Sequence, residues 1–249
     1  MILRSSYSLQ HTTRFLTMML DLCDHLAKNN IEVVPYTDQS ATDFDSLDTN
    51  LKQSKIDALE RYIKVLETTT HQRVNLKSAR DLVAKTLFSN SWIGANGLLE
   101  NIDDSCLIEM YDHNQVKVFS NFRFYELCSY DLTTCWTYSW NELFDRPEGV
   151  ESELLGYTRQ AFNLRPRDVL KIDTPIHYIK ERFSKHQRLF SYRADFISPV
   201  YSKNSRGIKD LEGVIVVSQA ELIKEKSMQP SKPKLELARS RDPREEVNG

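Results

Sequence analysis

A hairpin pattern near the end of the chain constrains the fold more than any other part of the sequence. Residues 190–201 and 211–218 form two runs rich in β-branched and aromatic residues, and such runs favour β-strands. The second run contains the sequence Val-Ile-Val-Val. Between the two runs lies a polar segment, 202–210, rich in Lys, Asn, Ser and Arg and containing a Gly, which is typical of a turn. We therefore predict an antiparallel hairpin over residues 189–219.

Composition and charge narrow the class of protein. The chain of 249 residues is 40% hydrophobic and 27% charged, which excludes collagen-like, wholly disordered and disulfide-scaffold proteins. The formal net charge of −2 gives no electrostatic basis for binding nucleic acid or a membrane surface. The most apolar run, 15–23, is interrupted by Asp21 and is too short to cross a bilayer, and the first residues lack the pattern of a signal peptide. We predict a cytoplasmic location, with neither nucleic acid nor membrane as a partner.

The residues that carry common chemistries show no catalytic pattern. The cysteines, Cys23, Cys106, Cys128 and Cys135, form no Cys-x-x-Cys pair, so we predict reduced, mostly buried thiols. The sequence has no Gly-x-Ser-x-Gly, P-loop, His-Glu-x-x-His or EF-hand pattern. We therefore predict that the protein is not an enzyme.

The first part of the chain is predicted to be helical. Apolar residues recur at helical spacing over residues 8–29 and 52–68, and a third helix is predicted from residue 75. A short β-like run at 31–34 and a surface loop over 37–50 are predicted between the first two helices. The second helix carries an apolar stripe made of Ile56, Leu59, Ile63 and Leu66.

Aromatic and β-branched residues dominate after residue 105. We predict a strand over 106–111, a turn at 112–114 and a second strand over 115–124. Short helices are predicted over 140–144, 151–162 and 176–186. The predicted fold class is α+β, with a helical N-terminal region followed by an antiparallel sheet and short flanking helices.

The closing hairpin, with its Ser-Pro-Val step and its Gly-Val-Ile-Val-Val strand, resembles the closing hairpin of PAS-type sensor domains. Together, residues 104–220 resemble a PAS domain, which implies a five-stranded antiparallel sheet with short helices across one face and a small pocket. The domain division is then a helical region at 1–100, acting in dimerisation or as a cap, a PAS-like domain at 104–222, and a disordered polar tail at 224–249.

Two registers of the resemblance compete upstream of the hairpin. One takes residues 111–116 as the first hairpin turn and 124–143 as the helices after the second strand. The other matches the Leu-Leu-Gly-Tyr start of segment 154–162 to the start of a PAS helix. The second register leaves few residues before Pro199 for the remaining helices and a full strand, so spacing favours the first.

The resemblance implies a sensory or regulatory module that binds a small ligand or a protein partner and has no output domain of its own. It also implies a homodimer through the N-terminal helices, for which the stripe of the second helix is a candidate face. The same stripe equally suits packing against the chain's own core. The alternative function is a non-enzymatic interaction or effector protein whose α+β core is filled.

The candidate site residues also follow from the resemblance. Some PAS domains hold heme through a histidine on the helix before the closing hairpin, and His177 lies there in the predicted helix 176–186. Flavin photochemistry needs an Asn-Cys-Arg-Phe segment, and the Asn-Phe-Arg-Phe at 121–124 lacks the cysteine, so flavin is not predicted. Aromatic residues are candidates for the pocket lining, although such residues more often supply plain core; they are Phe122, Phe124, Tyr125, Trp136, Tyr138, Trp140 and Tyr157.

Overall fold

The computed structural model describes residues 2–164, 168–172, 174–203 and 209–225. It is an α+β fold, with N-terminal helices followed by a curled antiparallel sheet and flanking helices, as predicted. The N-terminal helices are α1 (Ile2–Ala27), α2 (Asp38–Ser46), α3 (Thr49–His71) and α4 (Ala79–Ser89). The later helices are α5 (Phe122–Leu127), α6 (Leu132–Thr137), α7 (Trp140–Leu143) and α8 (Val150–Ala161), and a 3₁₀ turn covers Leu99–Asn101.

The strands form one antiparallel sheet. They are β1 (Trp92–Ile93), β2 (Leu107–Asp112), β3 (Lys117–Ser120), β4 (Phe144–Asp145), β5 (Leu170–Lys171), β6 (His177–Glu181), β7 (Leu189–Lys203) and β8 (Lys209–Lys224). Their order is β3-β2-β8-β7-β6-β4, and β1 and β5 also pair with β7.

The predicted closing hairpin is confirmed as the centre of the sheet. β7 pairs with β8 from Leu189 to Lys203, with register shifts such as that between Ala194 and Phe196. Such irregularities bend and twist a strand locally, which suits a curled sheet. The hairpin is longer than the predicted 189–219, and Lys224, predicted in the tail, is the last residue of β8. Residues 226–249 of that tail lie outside the described residues.

The predicted long helices are confirmed in α1 and α3, because their apolar spacing is a strong local signal. Asp48 caps α3 by accepting a hydrogen bond from the amide of Leu51 at 2.9 Å. The predicted apolar stripe of α3 is buried inside the chain's own core, with Leu59 and Leu66 completely inaccessible. The stripe therefore packs on its own chain. A dimer through the N-terminal helices stays a prediction, and it would have to use a different helix face from this stripe.

Three local predictions near the N-terminus are wrong. Residues 37–50, predicted as a loop, contain α2, because Thr37 and Ser40 form a reciprocal capping box and Phe44 stacks on Phe15 at 3.7 Å between ring centroids. The third helix begins after Ser78 as its N-cap rather than near residue 75. Residues 31–34 form no strand.

The hairpin of β2 and β3 confirms the predicted turn after residue 111. Its second strand ends at Ser120 rather than at residue 124, since Asn121 begins α5. The Asn121 side chain donates to the carbonyl of Cys106 at 2.8 Å and accepts from the amide of Ile108 at 3.0 Å, which ends the ladder. Helices α5, α6 and α7 follow this hairpin, and segment 154–162 of the other register begins inside α8. Both registers of the resemblance stay predictions.

The predicted helix at 176–186 is wrong, because this segment contains β6. His177, Ile179 and Glu181 are buried, whereas Tyr178 and Lys180 between them are exposed. This alternation has the period of a strand, and β6 pairs with β7 through partners such as His177 and Tyr192.

A continuous hydrophobic core joins the N-terminal helices to the sheet. The buried Tyr62 of α3 packs edge-to-face on Phe119 of β3, with ring centroids 5.6 Å apart. The Tyr62 hydroxyl donates to the carbonyl of Ser120 at 2.6 Å. Among the described residues, no helix combines the length and apolarity that crossing a bilayer requires.

Candidate functional site

A cavity lies between one face of the sheet and the helices α5, α7 and α8; we call it the sheet cavity. Its volume is about 60 Å³, several times the ~10–15 Å³ that one buried water needs. It therefore has room for a few heavy atoms without rearrangement. Its apolar wall includes Leu107, Phe124, Phe144, Ile179, Phe190 and Val214.

Glu109 of β2 is a buried carboxylate in this wall, and two side chains of the same protein, Lys117 and Tyr111, interact with it. The ammonium of Lys117 lies 2.8 Å from Glu109 Oε1, and the hydroxyl of Tyr111 donates to the same oxygen at 2.8 Å. The Lys117 ammonium also lies 3.8 Å above the centre of the Phe124 ring, as a cation–π contact. Burial, and then the neighbouring Glu109 charge, raises the pKa of Tyr111 well above its ordinary value, so this hydroxyl stays a donor. Lys117 Nζ makes no well-aligned hydrogen bond to a described residue, but at 2.8 Å it forms an ion pair with Glu109, and the two charges cancel.

Arg146 is the cation that lines the sheet cavity, and its surroundings differ from those of Lys117. It follows β4, and its Nη1 donates to the carbonyl oxygens of Trp140 at 3.1 Å and Phe144 at 3.4 Å. The guanidinium carbon lies 4.6 Å from the ring centre of Trp140 and 5.8 Å from that of Tyr192. Arg146 Nε is buried without a hydrogen-bond partner. In the part of the chain that the structure describes, no carboxylate lies within ion-pair distance of Arg146.

Burial lowers the pKa of Arg146, because a desolvated guanidinium loses hydration that favours its charged form. The nearby Tyr192, Tyr111 and Glu109 oppose this effect. An arginine remains protonated in proteins, so the sheet cavity carries one positive charge that the described residues do not neutralise.

The sequence-predicted aromatic residues divide into two groups. Phe124 and Trp140 line the sheet cavity. Trp136 instead donates its indole N–H to the Tyr125 hydroxyl at 3.1 Å and packs 5.5 Å from Tyr62, so Trp136 and Tyr125 belong to the core between α3, α5 and α6.

The remaining predicted aromatics also lie off this wall. Phe122 is buried on α5, and Tyr157 is half-buried on α8 against the core. Tyr138 lines a separate groove.

His177 lies on β6, not on a helix, and it does not line the sheet cavity. Its Nδ1 lies 3.1 Å from the carbonyl oxygen of Pro175, so the neutral ring carries its proton there and leaves the Nε2 lone pair free. Nε2 is buried without a hydrogen-bond partner, and the ring packs edge-on to Tyr192 at 5.4 Å between centroids. The pKa of His177 is lowered, first by burial and then by Arg146, whereas the bond to Pro175 raises it.

The sheet cavity does not fit a heme. Its volume of about 60 Å³ is far below the ~300 Å³ at which pockets for drug-sized ligands begin, and a porphyrin is at least as large as such ligands. A bond from Nδ1 to a carbonyl is common in metal-ligating histidines, and His177 has this bond, but His177 does not line the cavity.

A separate open groove of about 900 Å³ lies between the α1–α2 connection, the α5–α6 connection and the turn from β6 to β7. The Glu181 carboxylate accepts from the amide of Ser129 at 2.6 Å and from the amide of Arg188 at 3.0 Å. Arg188 Nη1 donates to the carbonyl of Leu127 at 2.6 Å. These bonds tie the groove's loops together, and the carboxylate and this guanidinium nitrogen are already engaged.

The thiols and metal-binding residues offer no second site in the described ranges. Cys106, Cys128 and Cys135 are buried, Cys23 is half-buried, and all are free thiols. Burial raises the pKa of Cys128 well above its ordinary value, which keeps this thiol protonated and unreactive. No group of three or more His, Cys, Asp or Glu side chains there is placed to hold a metal ion.

Sequence reasoning missed Glu109, Lys117 and Arg146. Glu109 and Lys117 were detectable as charged residues inside apolar strand patterns, where an inward charge needs a partner. Arg146 has no such signal, because Asp-Arg-Pro reads as an ordinary loop. Comparisons with other proteins add nothing to this site: no protein-family model matches the sequence, and no curated protein or solved structure shows significant similarity.

Proposed function

We propose that this protein is a PAS-like regulatory module that binds a small molecule in the sheet cavity. The observation that carries the proposal is the cavity itself, which lies between the antiparallel sheet and the short helices on one face. The family resemblance implies a five-stranded antiparallel sheet, short helices across one face and a small pocket. Within the described residues the sheet has eight strands, so the helices on one face and the pocket are the features that support the proposal. Concave, mostly apolar pockets with a few convergent polar groups are the usual form of small-molecule sites.

The proposed role is binding rather than catalysis. The buried carboxylate of Glu109 is already engaged by Lys117 and Tyr111, so it is not free to take up a proton from a substrate. The module would act in the cytoplasm through contact with a partner protein, and the ligand would favour the conformation that binds it.

A metabolite screen by thermal shift tests this proposal, because a ligand that binds only the folded state raises the melting temperature. The screen should include anionic, neutral and cationic compounds of few heavy atoms. We expect a ligand whose stabilising effect is lost in Ala220→Leu, since Ala220 lines the cavity and the larger side chain fills it.

Glu221→Leu is the matched control. Glu221 is the next residue of β8 and is exposed, so the same new side chain leaves the cavity unchanged. A screen without any ligand, or a ligand that stabilises both variants equally, would contradict binding in the sheet cavity.

The second candidate function is a non-enzymatic interaction or effector protein, and a separate observation favours it. Ile176, Tyr178 and Ile223 expose 66%, 60% and 53% of their surface, in or beside β6 and near the end of β8. Exposed apolar residues of this kind suit an interaction surface. Light scattering tests self-association. A dimer that Tyr178→Ser converts to a monomer would support self-association through these residues. If the protein is a monomer at high concentration, self-association is ruled out.

A further inference from the structure

We propose that the sheet cavity recognises the carboxylate of a short monocarboxylic acid, and that Arg146 binds this carboxylate. The inference rests on the proposed function, because it names the ligand class of the same cavity.

The first argument is the free edge of the Arg146 guanidinium. Its Nη1 is held by the carbonyl oxygens of Trp140 and Phe144. Nε is buried without a partner, and Nη2 makes no hydrogen bond to any residue that the structure describes. Nε and Nη2 present two parallel N–H groups on one edge, the arrangement that pairs with both oxygens of a carboxylate.

The second argument is that this arginine is already held in place. The guanidinium lies against the rings of Trp140, Phe144 and Tyr192, at 4.6, 5.7 and 5.8 Å from their centres. These contacts and the two carbonyl bonds fix the side chain before a ligand arrives. A fixed donor group binds its partner with less loss of conformational entropy.

The third argument is charge. The carboxylates of the cavity wall are engaged elsewhere: Glu109 pairs with Lys117, and Asp112 accepts from the amides of Asn114 at 2.8 Å and Val116 at 2.9 Å. Arg146 as a whole is half-buried, but its Nε is inaccessible to water. A largely desolvated guanidinium without a counter-charge is costly to the folded state. An anion therefore supplies the charge that the cavity lacks.

The fourth argument sets the size and valence of the acid. About 60 Å³ accommodates a ligand with a tail of about two to four carbons. The wall around this space is mostly apolar, which suits an alkyl tail. A second carboxylate on the ligand would face the acidic side chains of Glu109 and Asp112, so a monocarboxylate fits better than a dicarboxylate.

Calorimetric titration with matched pairs tests this inference: propionate against propionamide and butyrate against butyramide, at constant ionic strength with chloride as the balancing anion. Each pair keeps the shape and removes the charge. We expect the carboxylate to bind at least about tenfold more tightly than the amide, because a bidentate charged pair is the strongest polar contact in the site.

Two variants assign the effect to Arg146. Arg146→Met removes the guanidinium and should abolish the preference for the carboxylate, while Arg146→Lys should keep only part of it, since a lysine cannot form the fork. Arg193→Met is the control, because Arg193 is exposed on β7 and pairs with Asp195 at 2.8 Å. Circular dichroism melts establish that each variant is folded.

The outcomes separate this inference from the proposed function. Equal binding of acid and amide, no binding of either, or an undiminished acid preference in Arg146→Met would overturn the role of Arg146. If the metabolite screen then still finds a neutral or cationic ligand whose effect Ala220→Leu removes, the proposed function stands without the carboxylate. If that screen also finds nothing, both proposals fall.

Discussion

Arg146 lines the sheet cavity, and Lys117 pairs with another residue of its wall, Glu109; the fold surrounds these two cations differently. Lys117 lies 2.8 Å from the carboxylate of Glu109, so its charge is neutralised within the chain. Arg146 has carbonyl and aromatic contacts but no carboxylate partner among the described residues. A paired buried charge is explained by the fold itself, whereas an unpaired one requires another explanation. The contrast shows that a charged side chain is a candidate binding residue when it lacks a counter-charge, and that burial alone does not identify one.

The largest effect that would test this contrast is on stability. We expect Lys117→Met to lower the free energy of unfolding by about 3–5 kcal/mol, because it leaves the buried Glu109 carboxylate without its counter-charge. Urea denaturation monitored by circular dichroism measures this change. The double variant Lys117→Met with Glu109→Gln should recover a large part of the loss. No recovery would mean that Lys117 acts through its packing on Phe124 rather than through the ion pair.

A smaller effect concerns pH and the histidine beside Arg146. The pKa of His177 is lowered by burial and by the Arg146 charge, so the unfolded chain takes up a proton first as the pH falls below about 6.5. The contribution of neutral His177 to the free energy of unfolding should therefore be complete above that pH. It should decrease as the pH falls toward and through the lowered pKa of His177. His177→Gln should flatten this dependence in urea titrations from pH 7 to pH 5.

The variant Arg146→Met tests whether the Arg146 charge contributes to the lowered pKa of His177. Removing the positive charge should raise the pKa of His177 toward its ordinary value, which NMR titration of the ring protons would detect. His25, whose pKa is also lowered by burial, contributes to the same pH range, so His25→Gln is the control for the assignment. An unchanged His177 pKa in Arg146→Met would show that the two groups do not interact.

The smallest expected effect is that of Arg146→Met on stability itself. The variant loses the cation–π contacts and the carbonyl bonds, but it also removes the cost of an unpaired buried charge. We expect the free energy of unfolding at neutral pH to change by no more than about 1 kcal/mol in urea denaturation. A loss as large as that of Lys117→Met would make Arg146 a structural residue and would remove the contrast.

The fold was more predictable from the sequence than the site, because helices and turns follow local signals, whereas the site depends on contacts between distant segments. The apolar spacing of α3 and the turn chemistry after residue 111 are local signals, and both predictions are confirmed. The helix predicted at 176–186 failed because Ile176, Ile179 and Phe183 fit a helical stripe, while pairing with β7 imposed the strand period. The loop predicted at 37–50 failed because the capping box of Thr37 has Ser40 at its third helical position, whereas the usual sequence pattern has Glu or Gln there.

The prediction of pocket residues is only partly confirmed, because aromatic residues are common at any buried position and not only in pockets. Phe124 and Trp140 line the cavity, whereas Trp136 and Tyr125 bond to each other in the core. Nothing local in the sequence separates these pairs. The PAS resemblance, the domain boundaries and the ligand-binding role stay predictions.

The sequence by itself determined the closing hairpin, the long helices and the α+β class, because strand period, helical spacing and turn residues act between near neighbours in the chain. Only the tertiary structure decided which charges meet. The β2–β3 hairpin brings Lys117 to Glu109, and the meeting of α7, β4 and β7 surrounds Arg146 with the rings of Trp140, Phe144 and Tyr192. A cavity and an unpaired charge are properties of contacts between distant segments, and these contacts exist only once the sheet register is set.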